Sequence, residues 1–228
     1  MDRRRRLTLL HAELEACRAC PSMFGPPVHG PPIVTDILLV GQAPGPREGN
    51  LGRPFAWTAG KTLFRWFEEA TGVDEPSFRA GVYMTAVARC FPGKANGGGD
   101  RRPDRDEIAR CRRFLSGELE TLHPQLIIPV GTLAIEQTLG HKGPLVDIVG
   151  AARRTTVHGV EADVIALPHP SGASTWHRLE PGRSLLSAAL ARIAAHPAWL
   201  ATFATRPHGP IPRLPPPARG PSPRTRIA

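Results

Sequence analysis

The sequence predicts an α/β fold, a three-layer α/β/α sandwich around a mainly parallel four-stranded sheet. Three observations predict it. Apolar runs such as ILLV (37–40) and QLIIPV (125–130) have the length of buried strands. Longer stretches suited to helices stand between them, and strands that alternate with helices form parallel sheets covered on both faces. Gly- and Pro-rich segments punctuate the joints.

In chain order, a short amphipathic helix is expected over residues 7–16, and a Pro-rich loop over 21–32. Residues 36–40 read as the first buried strand. The segment GQAPGPREGNLGRPF (41–55) packs four glycines and three prolines into fifteen positions, which excludes regular helix or strand. A helix follows over 59–71 and is ended by Gly72. Residues 82–88 form the second strand, and FPGKANGGGDRRPD (91–104) reads as a flexible basic loop. Pro103 and Asp104 open a helix that runs to residue 122. The third strand spans 125–130, and Gly131 leads into a helix over 132–139. Strand-like segments follow at 145–149, 153–157 and 163–167, and a last helix at 182–195. From Arg206 the chain is Pro-rich with no apolar period, so it cannot bury enough surface to fold alone. A folded domain is therefore expected over 1–205 and a disordered basic tail over 206–228.

A chain of 228 residues can bury a substantial core in one domain. Its net charge is +9, and the five arginines from Arg206 onward leave +4 for residues 1–205. Such an excess fits attraction to nucleic acid, and equally plain solubility. No apolar run approaches a membrane span, and the N-terminal residues lack the apolar core of a signal peptide. A cytoplasmic monomer that makes no membrane contact is expected.

Cysteines occur at 17, 20, 90 and 111, the first pair as C-x-x-C in CRAC. A cytosolic chain seldom keeps disulfides, so four thiolates point to a metal or cluster site. Zinc and an iron–sulfur cluster both suit four thiolates, and a set of buried free thiols is the plain alternative.

Two loops carry the remaining chemistry, and both follow strands whose carboxyl ends are where such folds bind ligands. In the first, Gly41 and Gly45 allow close backbone approach, and exposed N–H groups could hold water or an anion. Glu48 is its single carboxylate. Phe55 follows Gly52-Arg53-Pro54, so its ring is pinned where it could stack on a flat ligand or simply fill core. The second loop is LPHPSGASTWHR (167–178). His169 lies between two prolines, a stiffness suited to donating a hydrogen bond to developing negative charge. Ser171, Ser174 and Thr175 could meet phosphate oxygens, or the loop could be a capped surface turn. No G-x-S-x-G elbow surrounds these serines, and AGKT (59–62) lacks the glycine spacing of a phosphate loop.

Taken together, these motifs resemble the uracil-DNA glycosylase superfamily, above all its iron–sulfur-containing family 4, over most of residues 10–195. GQAPG with Glu48 and GRPF is similar to the family's first motif, VYMTAVARC to its second strand with a cluster cysteine, and HPS to its second catalytic motif. The resemblance implies hydrolysis of the bond between a flipped base and its deoxyribose, in single- or double-stranded DNA that contains uracil. It implies that Phe55 stacks on the base and His169 stabilises the departing anion. Glu48 would steady the sugar cation and orient water, and the backbone of Gly41, Gln42 and Ala43 would read the uracil carbonyls. Ser171 would pinch the DNA backbone. Cys17, Cys20, Cys90 and Cys111 would hold a [4Fe–4S] cluster of structural role, or zinc.

The chain also departs from family 4. Gln42 stands where Glu is usual, as in family 1, yet Ala43 replaces the Asp that family 1 carries next. Ala86 stands where a strand Asn usually reads the uracil edge, a feature shared with family 5, which Gly49-Asn50 and HPSGAST also resemble. Asn50, Arg89 or His177 is expected to supply the missing contact. Cys90 and Cys111 are separated by the insertion GKANGGGDRR, which could reach DNA. Two other expectations stay open: action on other deaminated bases such as hypoxanthine, and a noncatalytic, metal-stapled DNA-binding protein. A zinc-site protein acting on a small phosphorylated ligand is a weaker third.

Overall fold

A computed structural model describes residues 1–172 and 174–204. The expected tail over 206–228 lies outside the described residues. The helices are α1 (Arg3–Glu15), α2 (Glu48–Leu51), α3 (Thr58–Thr71), α4 (Glu75–Gly81), α5 (Arg105–Leu122), α6 (Thr132–Leu139), α7 (Gly182–Ala194) and α8 (Pro197–Phe203). The strands are β1 (Ile37–Gly41), β2 (Tyr83–Ala86), β3 (Leu126–Pro129), β4 (Ala152–Val157) and β5 (Val160–Ile165).

The sheet has five strands in the order β2-β1-β3-β5-β4. Neighbours among β2, β1, β3 and β5 are parallel, and β4 pairs antiparallel with β5. The four-stranded expectation is thus corrected by one edge strand. The cause is a tight hairpin: His158 and Gly159 both take positive φ, the conformation that closes a two-residue turn between twisted strands. Residues 145–149 are not a strand. They form a 3-10 turn, Leu145–Asp147, because β4 already occupies the sheet edge and Pro144 starts a local turn. Ile148 and Val149 are buried there, which is why the run is apolar.

Side chains alternate across the sheet as its period of two requires. Ile37, Leu39, Leu126 and Ile128 face one core with α3, α4, α7 and α8. Leu38, Val40 and Ile127 face the other with α1 and α5. This gives the three expected layers. Helix α5 begins with a capping box, in which Asp104 and Glu107 each accept from the other's backbone N–H. Among the described residues no helix is long and apolar enough to cross a membrane.

Candidate active site

The carboxyl ends of β1 and β2 and the loop after β5 surround a cavity of about 470 Å³. Gly41, Gln42, Ala43, Glu48, Phe55, Ala86, His169 and Ser171 all line it. Asn50 does not, being exposed on the short helix α2.

Phe55 is held from several sides. Its φ is +52, a left-handed conformation that a non-glycine residue adopts only when its surroundings impose it. Arg79 of α4 donates to the carbonyls of Pro54 at 2.9 Å and Phe55 at 3.0 Å. Glu75 orients that guanidinium at 2.8 Å. Gly60 of α3 lies so near that a Cβ there would stand 1.7 Å from the Phe55 carbonyl oxygen. A Cβ on Gly41 would meet the edge of the ring at 3.0 Å. The aromatic face is therefore pinned over the end of β1.

Glu48 opens α2 and is buried. Its two carboxyl oxygens accept from the backbone N–H groups of Gly45, at 3.2 Å, and Ala56, at 3.0 Å. Burial pushes its pKa up, and those two amides oppose the rise. The carboxylate thus ties the two ends of the glycine-rich loop together.

His169 sits against Gly131, where a Cβ would come within 3.0 Å of its ring. The backbone N–H of Ser171 donates to His169 Nδ1 at 3.2 Å. An Nδ1 that accepts leaves the proton of a neutral imidazole on Nε2. Burial lowers the pKa of His169, against an opposing pull from Asp100, so the neutral tautomer is favoured. The ring is a fixed Nε2–H donor.

Among the further residues that line the cavity, Trp57, Lys94 and Asp100 were not singled out from the sequence and bring side chains able to stack or carry charge. Trp57 is exposed at the rim under the Arg47 guanidinium, 4.2 Å from its ring centroid. Lys94 and Asp100 come from the loop expected to be flexible. Instead it folds back as a small hairpin, with an antiparallel bridge between Lys94 and Asp100.

Two residues expected to help read the base are spent elsewhere. Arg89 is 1% exposed, and its guanidinium donates to both oxygens of Glu118 at 2.8 and 2.6 Å. His177 is buried edge-on against Trp66, with ring centroids 5.0 Å apart. Neither lines the cavity. Ala86 offers no side-chain hydrogen bond, because a methyl group has none to give.

Cys17, Cys20, Cys90 and Cys111 line a second cavity of about 270 Å³, together with Arg18, Arg89 and Arg110. All four are free thiols. Burial, then the neighbouring Cys111, Cys17 and Cys20, pushes Cys90 up to about 11. Burial likewise raises Cys20 and Cys111. Among the described residues, no three His, Cys, Asp or Glu side chains converge closely enough to hold a single ion.

Known proteins match this chain. It is 28% identical over 142 residues to the Type-4 uracil-DNA glycosylase of Saccharolobus solfataricus, a match covering 60% of this chain and 62% of that one. It is 28% identical over 173 residues to the Type-4 uracil-DNA glycosylase of Pyrobaculum aerophilum, covering 72% of this chain and 83% of that one. To the Type-5 uracil-DNA glycosylase of Thermus thermophilus it is 31% identical over 160 residues, covering 57% and 70%. The chain spans about three fifths of the length of two of its Type-4 relatives. A family model for the uracil DNA glycosylase superfamily matches residues 27–204, which takes in β1, the glycine-rich loop, β2 and the histidine loop together. On the order of those elements and the extent of that match, the chain belongs to the uracil DNA glycosylase superfamily.

Proposed function

We propose that this protein is a DNA glycosylase that everts a uracil nucleotide and hydrolyses its N-glycosidic bond, leaving an abasic site. The observation that carries the reading is the meeting, in one cavity, of a pinned aromatic face and a fixed Nε2–H donor. The scissile bond is inaccessible in a stacked duplex, so the base must leave the stack. Phe55 then stacks on the everted ring. Bond breaking leaves positive charge on the sugar and negative charge on the base. His169 Nε2–H meets the anion, and a donor of this kind is worth about 3 kcal/mol of barrier. Glu48, held by two amides, supplies negative charge near the sugar cation. The backbone of Gly41, Gln42 and Ala43 faces the uracil carbonyls, and Ser171 contacts the DNA backbone. Ala86 gives the base edge no side-chain partner, and this favours tolerance of other deaminated bases such as hypoxanthine.

The four cysteines suit an iron–sulfur cluster. They surround one cavity, and four thiolates are the usual ligand set of such a cluster, with zinc the alternative. When bound, the cluster supplies a structural staple, and hydrolysis requires no redox step. Cys17 and Cys20 follow α1, Cys90 follows β2, and Cys111 lies in α5, so the group would tie three segments together.

A single assay tests the reading. Labelled duplex and single-stranded oligonucleotides carrying uracil or hypoxanthine are incubated with the full chain, then cleaved at abasic sites with alkali. Product is expected with uracil, and His169→Ala is expected to slow its formation by roughly 100-fold. Salt-sensitive DNA binding without release of either base would favour the noncatalytic alternative.

A further inference from the structure

We propose that Asp100 is the carboxylate that holds and deprotonates the attacking water, an assignment that rests on the glycosylase reading above. The reaction needs a carboxylate with a free oxygen facing the reacting carbon. Ala43 has none. Glu48 lines the cavity, but it is buried and each of its oxygens accepts a backbone N–H from the segment it braces, so its orientation is set by that loop and neither oxygen is wholly free. Asp100 lines the same cavity as Phe55 and His169. Its Oδ1 takes the Lys94 ammonium at 2.6 Å, while its Oδ2 accepts no hydrogen bond among the described residues. That oxygen lies 3.7 Å from where a Cβ on Gly45 would stand, so the carboxylate reaches the glycine-rich loop that bears Glu48. Its charge is felt at both His169 and Glu48, the two side chains given to the departing base and the sugar above.

The carboxylate is also positioned, although glycines precede it. Ala95 N–H donates to Gly99 O at 3.2 Å, and Arg101 N–H to Gly93 O at 2.8 Å, closing the hairpin. The next residue, Arg101, anchors the hairpin by donating to both oxygens of buried Glu107, at 2.9 and 2.7 Å. Its Nε donates to Pro92 O at 2.8 Å. A rigid support of this kind is what a reacting side chain requires.

The step balances. The C1′–N1 bond breaks, and its electron pair leaves with the base, which becomes an anion against His169 Nε2–H. The water oxygen forms a bond to C1′, and its proton passes to Asp100 Oδ2, from where it returns to solvent.

The test uses the full chain and single-turnover release of uracil from a duplex. Asp100→Ala and Asp100→Asn are expected to slow release by about 100-fold or more. Affinity for a duplex carrying 2′-fluorodeoxyuridine, which resists cleavage, should stay within about threefold, since only the chemical step is affected. Formate should restore Asp100→Ala by about tenfold and leave wild type unchanged, because it returns a carboxylate to the vacated space. Asn at 100 with a rate within threefold of an active wild type would overturn the assignment and leave the glycosylase reading intact. Loss in Asp100→Ala that formate does not relieve would overturn it too. Wild type that releases no base overturns the glycosylase reading itself, and this assignment falls with it.

Discussion

At the scale of single residues, the site depends on two side chains whose freedom has been removed. His169 is fixed by the Ser171 N–H on one nitrogen, so its remaining N–H has a set direction. Phe55 is fixed through its backbone, by Arg79 on its carbonyl and by the glycine at position 60. Stacking on a base is worth about 1–3 kcal/mol, so Phe55→Ala should lower kcat/KM for uracil release by roughly 5- to 150-fold. Gly60→Ala should do comparable damage without touching the ring. Its Cβ would have to occupy the Phe55 carbonyl, so the left-handed residue must move. Overpacking of this kind costs about 1–3 kcal/mol of stability. Urea titration and single-turnover kinetics on both variants distinguish the cases: Phe55→Ala loses rate with little change in midpoint, and Gly60→Ala loses both. A fully active Gly60→Ala enzyme would mean that the pinned geometry is irrelevant to the reaction.

At the scale of elements, α1, β2 and α5 are joined by a buried polar network. Glu118 of α5 accepts from Arg89, from Tyr83 Oη at 2.8 Å and from Thr85 Oγ1 at 2.7 Å. Each oxygen is satisfied twice, which is what makes a buried ion pair tolerable. His11 of α1 meets Tyr83 Oη at 2.7 Å. The hydroxyl proton goes to Glu118, so the imidazole must donate, and it does so while neutral. A second proton is opposed first by burial and next by His29, whose ring lies 4.2 Å away, and further by Arg89; Glu118 and Glu15 pull the other way. The balance lowers the pKa of His11 from 6.5 to about 4. The unfolded chain therefore binds a proton that the folded one refuses. Stability is complete above 6.5 and is lost as pH falls from 6.5 toward about 4. The loss is at most roughly 3 kcal/mol. His11→Gln keeps an N–H donor and does not titrate, so its stability should fall less over that window. Urea unfolding of both proteins at either end of the window measures the difference; parallel curves would show that another group carries the acid sensitivity.

At the scale of the whole molecule, what could be read from sequence was periodic or backbone-dictated. The apolar runs 37–40 and 125–130 marked buried strands, whose two faces only the structure separates, and the Gly-Pro motifs marked Gly41, Phe55 and His169 because such residues restrict the backbone. Pairings between distant residues were not legible. Arg89 reads as a candidate contact to the base until Glu118, on another element, is seen to pair with it in the interior. Asp100 follows three glycines that read as flexible, and only the fold-back onto Gly93 makes it part of the cavity. The helix Pro197–Phe203 was missed because seven residues carry too little periodicity, although Trp199 stacks on Phe67 at 5.3 Å. The same reasoning bears on the cysteines, whose four positions belong to three segments. Residues 16–32 carry no helix or strand and are held by scattered contacts: Val28 N–H donates to Arg89 O at 2.7 Å, Phe24 pairs with Phe91, Ser22 donates to Glu107 at 3.0 Å, and His29 meets Glu15 at 3.0 Å. A group bound by all four thiolates would therefore contribute directly to stability. Protein purified without oxygen should be brown and hold about four iron atoms per chain. Cys20→Ser should lose that iron and unfold roughly 10 °C lower. One zinc per chain would replace the cluster by a single ion, and a colourless, metal-free protein as stable as its Cys20→Ser variant would show that the thiols staple nothing.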